Sequence, residues 1–185
     1  MKRIFAAIKI NPEPELISFL NTIKNRLGLE KIKWIPIENI HVTLKFFGNT
    51  GDDKIYEISE LFKCIAKRTF TFKLCFENSG YYGSRNNPKV LWLGVKKNEN
   101  IISLVNTINH DLQTLGYIAD NKNLNSHLTI GRVKKISDQI NFSNTLDCDP
   151  ELIHIYDIDH FALFESTLTK TGAVYSEIEN YYFGR

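Results

Sequence analysis

The sequence predicts an α+β protein, and three observations carry that expectation. Strand-like and helical segments do not alternate in the manner of a parallel sheet. Neither GxGxxG nor GxxxxGK[ST] occurs, so a nucleotide fold built on a Gly-rich phosphate loop is not expected. One short phrase is written twice, His41-Val42-Thr43-Leu44 and His127-Leu128-Thr129-Ile130, with its histidines 86 positions apart in a chain of 185 residues. Each half therefore offers strands, a helix and one copy of the phrase.

Taken in order, Arg3 to Ile10 reads as a buried strand. Pro12-Glu13-Pro14 opens a helix through Arg26, with Leu16, Phe19, Leu20, Ile23 and Leu27 on one stripe and Gly28 stopping it. Lys31 to Trp34 is a short strand, and Pro36 marks a turn. Ile40 to Phe47 is the first strand carrying the phrase, closed by Gly48-Asn49. Asp52 or Asp53 caps a helix bearing Ile55, Ile58, Leu61, Phe62 and Ile65. Phe70 to Phe76 alternates as a strand, while Asn78 to Pro88, rich in Gly, Asn, Ser and Tyr, reads as a loop. Lys89 to Val95 is a strand, Asn100 to Leu115 a helix ended by Gly116, and Asn125 to Val133 the second strand carrying the phrase. Ser137 to Pro150 reads as irregular and polar. Leu152 to Phe164 and Ala173 to Phe183 read as final strands around a turn at Lys170-Thr171-Gly172.

At 185 residues, 43% hydrophobic and 24% charged, the chain has the make-up of one globular domain, residues 1–185, with a sizeable core. No apolar run reaches the length of a membrane span, and Met1-Lys2-Arg3-Ile4-Phe5 leads straight into a strand, unlike a signal peptide. Cys64, Cys75 and Cys148 show no metal-ligand spacing and fit a reducing, cytoplasmic setting. The net charge of +2 does not demand a long nucleic-acid partner, though it permits a nucleotide or a nucleic-acid end.

Side chains at i and i+2 of a strand share a face. Strict alternation puts His41, Thr43, Lys45 and Phe47 on one face of the first strand and Val42, Leu44 and Phe46 on the other, packed on the core. In the second strand His127 and Thr129 oppose Leu128 and Ile130. Two imidazoles and two hydroxyls facing one another suit phosphodiester hydrolysis by in-line displacement. One histidine acts as base on the attacking water, the other as acid on the departing oxygen, and the threonine hydroxyls donate to the charged phosphate oxygens. A strained 2′,3′-cyclic phosphate fits such a site without a metal. A zinc site would need a third ligand, and neither copy has HExxH or a neighbouring carboxylate. His110, His154 and His160 have no matching threonine and read as structural or surface residues.

HVTLKFFG (His41 to Gly48) and HLTIGR (His127 to Arg132) resemble the paired HxT motifs of the two-histidine phosphoesterase superfamily. The nearest likeness is to the RNA 2′,3′-cyclic phosphodiesterases, long called 2′-5′ RNA ligases. The segments RIFAAIKI, Val90 to Val95, Leu163 to Ser166 and Gly172 to Tyr175 fall where that family has similar residues. The resemblance implies a bilobal, pseudo-twofold fold whose antiparallel sheets line a central cleft with helices outside. It implies opening of RNA or nucleoside 2′,3′-cyclic phosphates to 2′-phosphates with no metal or other cofactor. His41 would be the acid on the 3′ oxygen, His127 the base, and Thr43, Thr129 and Arg132 the phosphate ligands. Ser126 stands where many members have proline, and alternation sets Arg132 opposite His127, so a bulge is needed to bring it to the site. Phe47, favoured over Phe46 by alternation, and Tyr82 are candidates for base stacking. The expected partners are RNA ends, tRNA among them, or cyclic nucleotides, bound by a monomer. The competing readings are RNA 2′-5′ ligation by the same site and a non-catalytic binder of nucleotide or RNA ends.

Overall fold

The computed structural model describes residues 1–118, 126–146, 154–170 and 172–184. The expectations for Asn125, Cys148, Leu152 and Thr171 lie outside them. Among the described residues nine strands form one sheet: β1 (Lys2–Lys9), β2 (Lys31–Trp34), β3 (His41–Thr50), β4 (Phe72–Ser84), β5 (Asn87–Val95), β6 (His127–Lys135), β7 (His154–Ile158), β8 (His160–Leu168) and β9 (Ala173–Tyr182). Four helices accompany them: α1 (Pro14–Arg26), α2 (Asp52–Arg68), α3 (Glu99–Asp111) and α4 (Gln139–Leu146). The α+β expectation holds, with one curled antiparallel sheet in place of several.

The strand order is β7-β4-β5-β6-β3-β1-β8-β9, with β2 joined to the far end of β6. β6 and β3, which carry the repeated phrase, meet at the centre through the pair Val42–Leu128. On either side the chain runs strand, helix, phrase strand: β1-α1-β3 and β5-α3-β6. After each phrase strand the chain crosses to the other half, at once with β4 and, on the other side, with β8 after β7 has joined β4. β4 pairs with β5 after β3, and β8 pairs with β1 after β6.

One face of the sheet is covered by the helices and holds the main core, including Ile4, Ile8, Val42, Phe62, Leu91, Leu93, Leu128 and Phe161. α2 packs on β8 and β9, α3 on β3, and α4 on β4 and α1. The other face, the cleft, carries a small buried apolar cluster of Phe5, Ala7, Ala162 and Phe164 with Tyr175 packed against it. This division of an antiparallel sheet into a packed and an open face is the ordinary consequence of period-two patterning.

Four expectations are corrected. The supposed loop from Asn78 to Pro88 is the β4–β5 hairpin with a two-residue turn at Arg85-Asn86. Its glycines and asparagine mark irregular strand geometry: Asn78 bulges out at φ +54°, and Gly80 lies beneath the Trp92 ring. The polar stretch after Ser137 contains α4, whose first turn is capped by Asp138 Oδ1 accepting from the N–H groups of Ile140 and Asn141. The single strand read from Leu152 to Phe164 is two, β7 and β8, which part at Asp159 for different halves of the sheet. Gly51 takes the N-cap position of α2, while Asp52 and Asp53 sit in its first turn against the helix dipole.

Candidate active site

The β3–β1 register sets what each side chain of the first phrase faces. Lys9 lies opposite His41 and Ala7 opposite Thr43, but Ala6 pairs with Lys45, leaving Leu44 as an extra residue. This bulge inverts the alternation. Lys45, expected beside His41 on the cleft face, instead turns inward. It is buried, and its Nζ donates to Asn109 Oδ1 (3.1 Å) and the Ile118 carbonyl (3.4 Å). Phe46 takes the cleft face opposite Phe5, half exposed, with the Arg3 guanidinium 4.9 Å from its ring centroid. Phe47, the expected stacking residue, packs on the core side against Phe62 and Tyr117, at 6.1 and 5.3 Å between ring centroids.

The second phrase repeats the device. Trp92 pairs with Thr129 and Leu91 with Gly131, so Ile130 is the extra residue, one position after the threonine, as Leu44 is. Gly131 turns to the core side, where a Cβ would come within 2.9 Å of the Ile32 side chain. Arg132 then points into the cleft, which resolves the conflict with strict alternation. Position for position, Arg132 matches Phe46.

The antiparallel pair Val42–Leu128 is the local centre of this arrangement. Its register puts His41 beside Thr129 and Thr43 beside His127, neighbouring strand positions with Cα atoms about 5 Å apart. His41 and Thr129 are partly buried and Thr43 is exposed.

The two imidazoles are held differently. His41 Nδ1–H donates to the Asn39 carbonyl (2.7 Å); a carbonyl only accepts, which fixes the proton on Nδ1 and leaves Nε2 as the basic nitrogen of the neutral ring. The ring rests on Phe5 (5.0 Å between centroids) and meets Tyr175 edge-on (5.3 Å). Burial pushes the His41 pKa below the ordinary histidine value. The Asn39 hydrogen bond opposes this, and the nearby charges of His127 and Arg132 add to it. His127 Nδ1 instead shares a hydrogen bond with Tyr82 Oη (3.2 Å), and Tyr82 stands edge-on to its ring (5.0 Å). A hydroxyl both donates and accepts, so it supports either tautomer. Burial raises the Tyr82 pKa, which keeps that proton in place.

A cavity of about 380 Å³ lies beside His127, bounded by Tyr82, Trp92 and Ser126. A smaller one of about 90 Å³ lies beside His41, walled by Phe5, Phe164 and Tyr175. Trp92 was not among the expected site residues. It stands on the cleft face across from Thr129, 5.6 Å from Tyr82 between ring centroids, and its Nε1 is buried with no hydrogen-bond partner among the described residues. Its signal was a large aromatic set out of phase with Leu91 and Leu93. His110 pairs with Asp111 at the end of α3, and His160, on the same face of β8 as Ala162 and Phe164, pairs with Asp159 and packs against Tyr182. Among the described residues, no group of three or more His, Cys, Asp or Glu is gathered to hold a metal, and no helix is long and apolar enough to cross a membrane.

The model of the LigT-like phosphoesterase family matches residues 8–92. An RNA 2′,3′-cyclic phosphodiesterase of Thermotoga maritima is 33% identical over 180 residues, covering 94% of this chain and 91% of its own. That of Archaeoglobus fulgidus is 31% identical over 157 residues, covering 84% and 86%. Among solved structures, a Thermus thermophilus protein superposes with a TM-score of 0.82 at 20% identity, covering 98% of this chain and 97% of its own. Escherichia coli LigT complexed with 3′-AMP gives 0.74 at 20% identity, covering 100% and 99%. At that identity the two structures speak to the fold alone.

Proposed function

The chain belongs to the LigT-like phosphoesterase family, and from that membership we propose that it is an RNA 2′,3′-cyclic phosphodiesterase that opens the cyclic phosphate to a 2′-phosphate. The observation that carries the chemistry is the cross-register of the two phrases, each histidine beside the other's threonine at the Val42–Leu128 pair. In-line displacement needs a base and an acid on opposite sides of phosphorus, and paired imidazoles supply both near neutral pH. One imidazole takes a proton from water as its oxygen bonds to phosphorus. The bond to the 3′ oxygen breaks, and the other imidazole delivers a proton to that oxygen. The hydroxyls of Thr43 and Thr129 and the Arg132 guanidinium meet the charge that builds on the phosphate oxygens.

The family likeness gives the acid role to His41. The lowered pKa of His41 in the free protein favours its neutral form, whereas a bound phosphate anion favours the imidazolium. Tyr82 lies beside the reacting groups as a surface for a base. Phe46 takes the part first expected of Phe47. The substrates are RNA ends, tRNA among them, or cyclic nucleotides, and the protein works as a single-domain monomer of two related halves in a reducing cytoplasm.

Turnover of a 2′,3′-cyclic nucleotide in excess EDTA, with the product identified, tests this reading. A 2′-phosphate is expected, and His41→Ala and His127→Ala should each lower kcat/KM by at least ~10²-fold. Full activity in either variant would refute the paired roles, and a 3′-phosphate product would make the 2′ oxygen the leaving group.

A further inference from the structure

The near-neutral net charge conceals a strong separation of charge. Four segments meet around β6 and the described ends of the β8–β9 turn: residues 31–37, 78–95, 126–137 and, within 166–176, the described 166–170 and 172–176. They hold eight of the 23 lysines and arginines and none of the 21 aspartates and glutamates, so the rest of the chain is net acidic.

The fold lines these cations up. On the cleft face Tyr82, Val90, Arg132 and Lys33 form one row across β4, β5, β6 and β2. Lys31 and Lys135 pair in the next row, with Lys134 as the extra residue at a register shift. The β8–β9 turn closes over this end: a Cβ on Gly172 would lie 3.0 Å from Lys33 Nζ, and Asn39 Nδ2 donates to the Ala173 carbonyl (3.1 Å). Arg85, at the tip of the β4–β5 hairpin, stands on the other flank. Lys31, Lys134 and Lys135 are exposed, and none has a carboxylate partner among the described residues. Six acids border these segments: Glu38 and Glu77 are exposed, and Glu165 and Glu177 pair with Lys2 and Lys9. Glu30 is buried and accepts from the N–H groups of Ser137 (2.5 Å) and Asp138 (2.9 Å), while Asp138 caps α4.

We propose that the β2–β6 end of the cleft is a track for single-stranded RNA, holding the phosphates of the nucleotides that precede the cyclic end. This rests on the cyclic-phosphodiesterase reading, which fixes the terminal phosphate between the two phrases. The track starts at Arg132, itself at that phosphate, and continues over Lys33 to Lys31, Lys134 and Lys135. Alternate residues of a strand lie ~7 Å apart, a spacing that lets successive cations meet successive phosphates. Tyr82 and Trp92 flank the start of the track with ring faces and edges for bases, the combination of cationic groove and aromatic platform that binds a single strand without reading its sequence. A membrane surface or an acidic protein does not account for a row that begins inside the catalytic cleft.

The test compares the wild type with the Lys31→Gln/Lys134→Gln/Lys135→Gln variant in two assays. In the first, kcat/KM is measured against salt for a 2′,3′-cyclic mononucleotide and for a short RNA ending in the same cyclic nucleotide. Removing three phosphate contacts should make the fall of log kcat/KM for RNA with log salt shallower by about 2, at roughly −0.7 per contact, while mononucleotide turnover stays unchanged. In the second, fluorescence anisotropy follows binding of a 3′-phosphorylated RNA, so the track is read even if no turnover occurs. Variant binding weakened about tenfold or more at low salt supports the track. Undiminished RNA binding by the variant overturns it, whatever the activity. Equal loss of affinity for duplex DNA of the same length also overturns it, in favour of a general polyanion surface. Failure of the wild type to turn over either substrate, with RNA binding intact and lysine-dependent, would instead strike the catalytic reading alone.

Discussion

Arg132 reaches the cleft only because Ile130 is an extra residue in β6, and its positive charge then bears on His41. An adjacent positive charge disfavours imidazolium, so Arg132→Gln should raise the His41 pKa; an NMR titration of the His41 ring that stays put or moves down would contradict that contact. The same variant assigns the acid and base. The acidic limb of the kcat/KM profile moves to higher pH if His41 is the base, and the alkaline limb does so if His41 is the acid. Loss of a donor to the developing phosphate charge should also lower kcat by ~10²-fold. The two histidines and two threonines were legible in the sequence because a strand puts i and i+2 on one face, and that holds through each phrase. Lys45 and Phe47 were misread because a bulge leaves no mark in the residue types. Leu44 looks like any inward-facing strand residue, and only the register against Ala7 and Ala6 shows that it is extra.

The β4–β5 hairpin shows why a whole element was missed. Gly80, Gly83 and Asn78 carry the composition of a loop, yet Gly80 is there because the Trp92 indole lies on it: a Cβ would stand 2.5 Å from the ring. Gly80→Ala should therefore destabilise by about 1–3 kcal/mol through overpacking, and it should change the tryptophan fluorescence as the indole is displaced. Gly51→Ala is the control: among the described residues no atom lies within 4 Å of the added Cβ and the backbone φ is −73°, so only the N-cap preference for Gly over Ala, about 1 kcal/mol or less, should register in denaturant unfolding, with the tryptophan fluorescence unchanged. The α4 helix escaped the sequence reading for a different reason. Its eight residues carry only Phe142, Thr145 and Leu146 inward, too few for a periodic stripe, and its start depends on Asp138 and on Glu30, which is distant in sequence. By contrast β1, α1, α2 and β5 have apolar periods long enough to read directly, and they lie close to where they were expected.

At the scale of the molecule, β4 and β8 each complete the sheet of the half they do not follow in sequence. Neither half closes its core without a strand from beyond the centre. Thermal unfolding should accordingly be a single transition with equal calorimetric and van't Hoff enthalpies; two separable transitions would mean that the halves are independent units. The α+β class was legible because it follows from element order. The merging of the strands into one sheet was not, because it depends on the single Val42–Leu128 junction and on the chain parting at Asp159, where the sequence runs on without a break. The twin bulges at Leu44 and Ile130 carry one more implication. A pocket with a true dyad would receive a cyclic phosphate equally well in either of two poses, and the choice of departing oxygen would be a coin toss. Since the bulges present equivalent positions to the substrate, that toss is loaded by what occupies them: an uncharged ring at 46 and a fixed cation at 132. A preference of about 1.4 kcal/mol between the poses is enough for about ten to one. On the proposed reading, regiochemistry is thus a broken symmetry, encoded outside the two histidines that would move the protons.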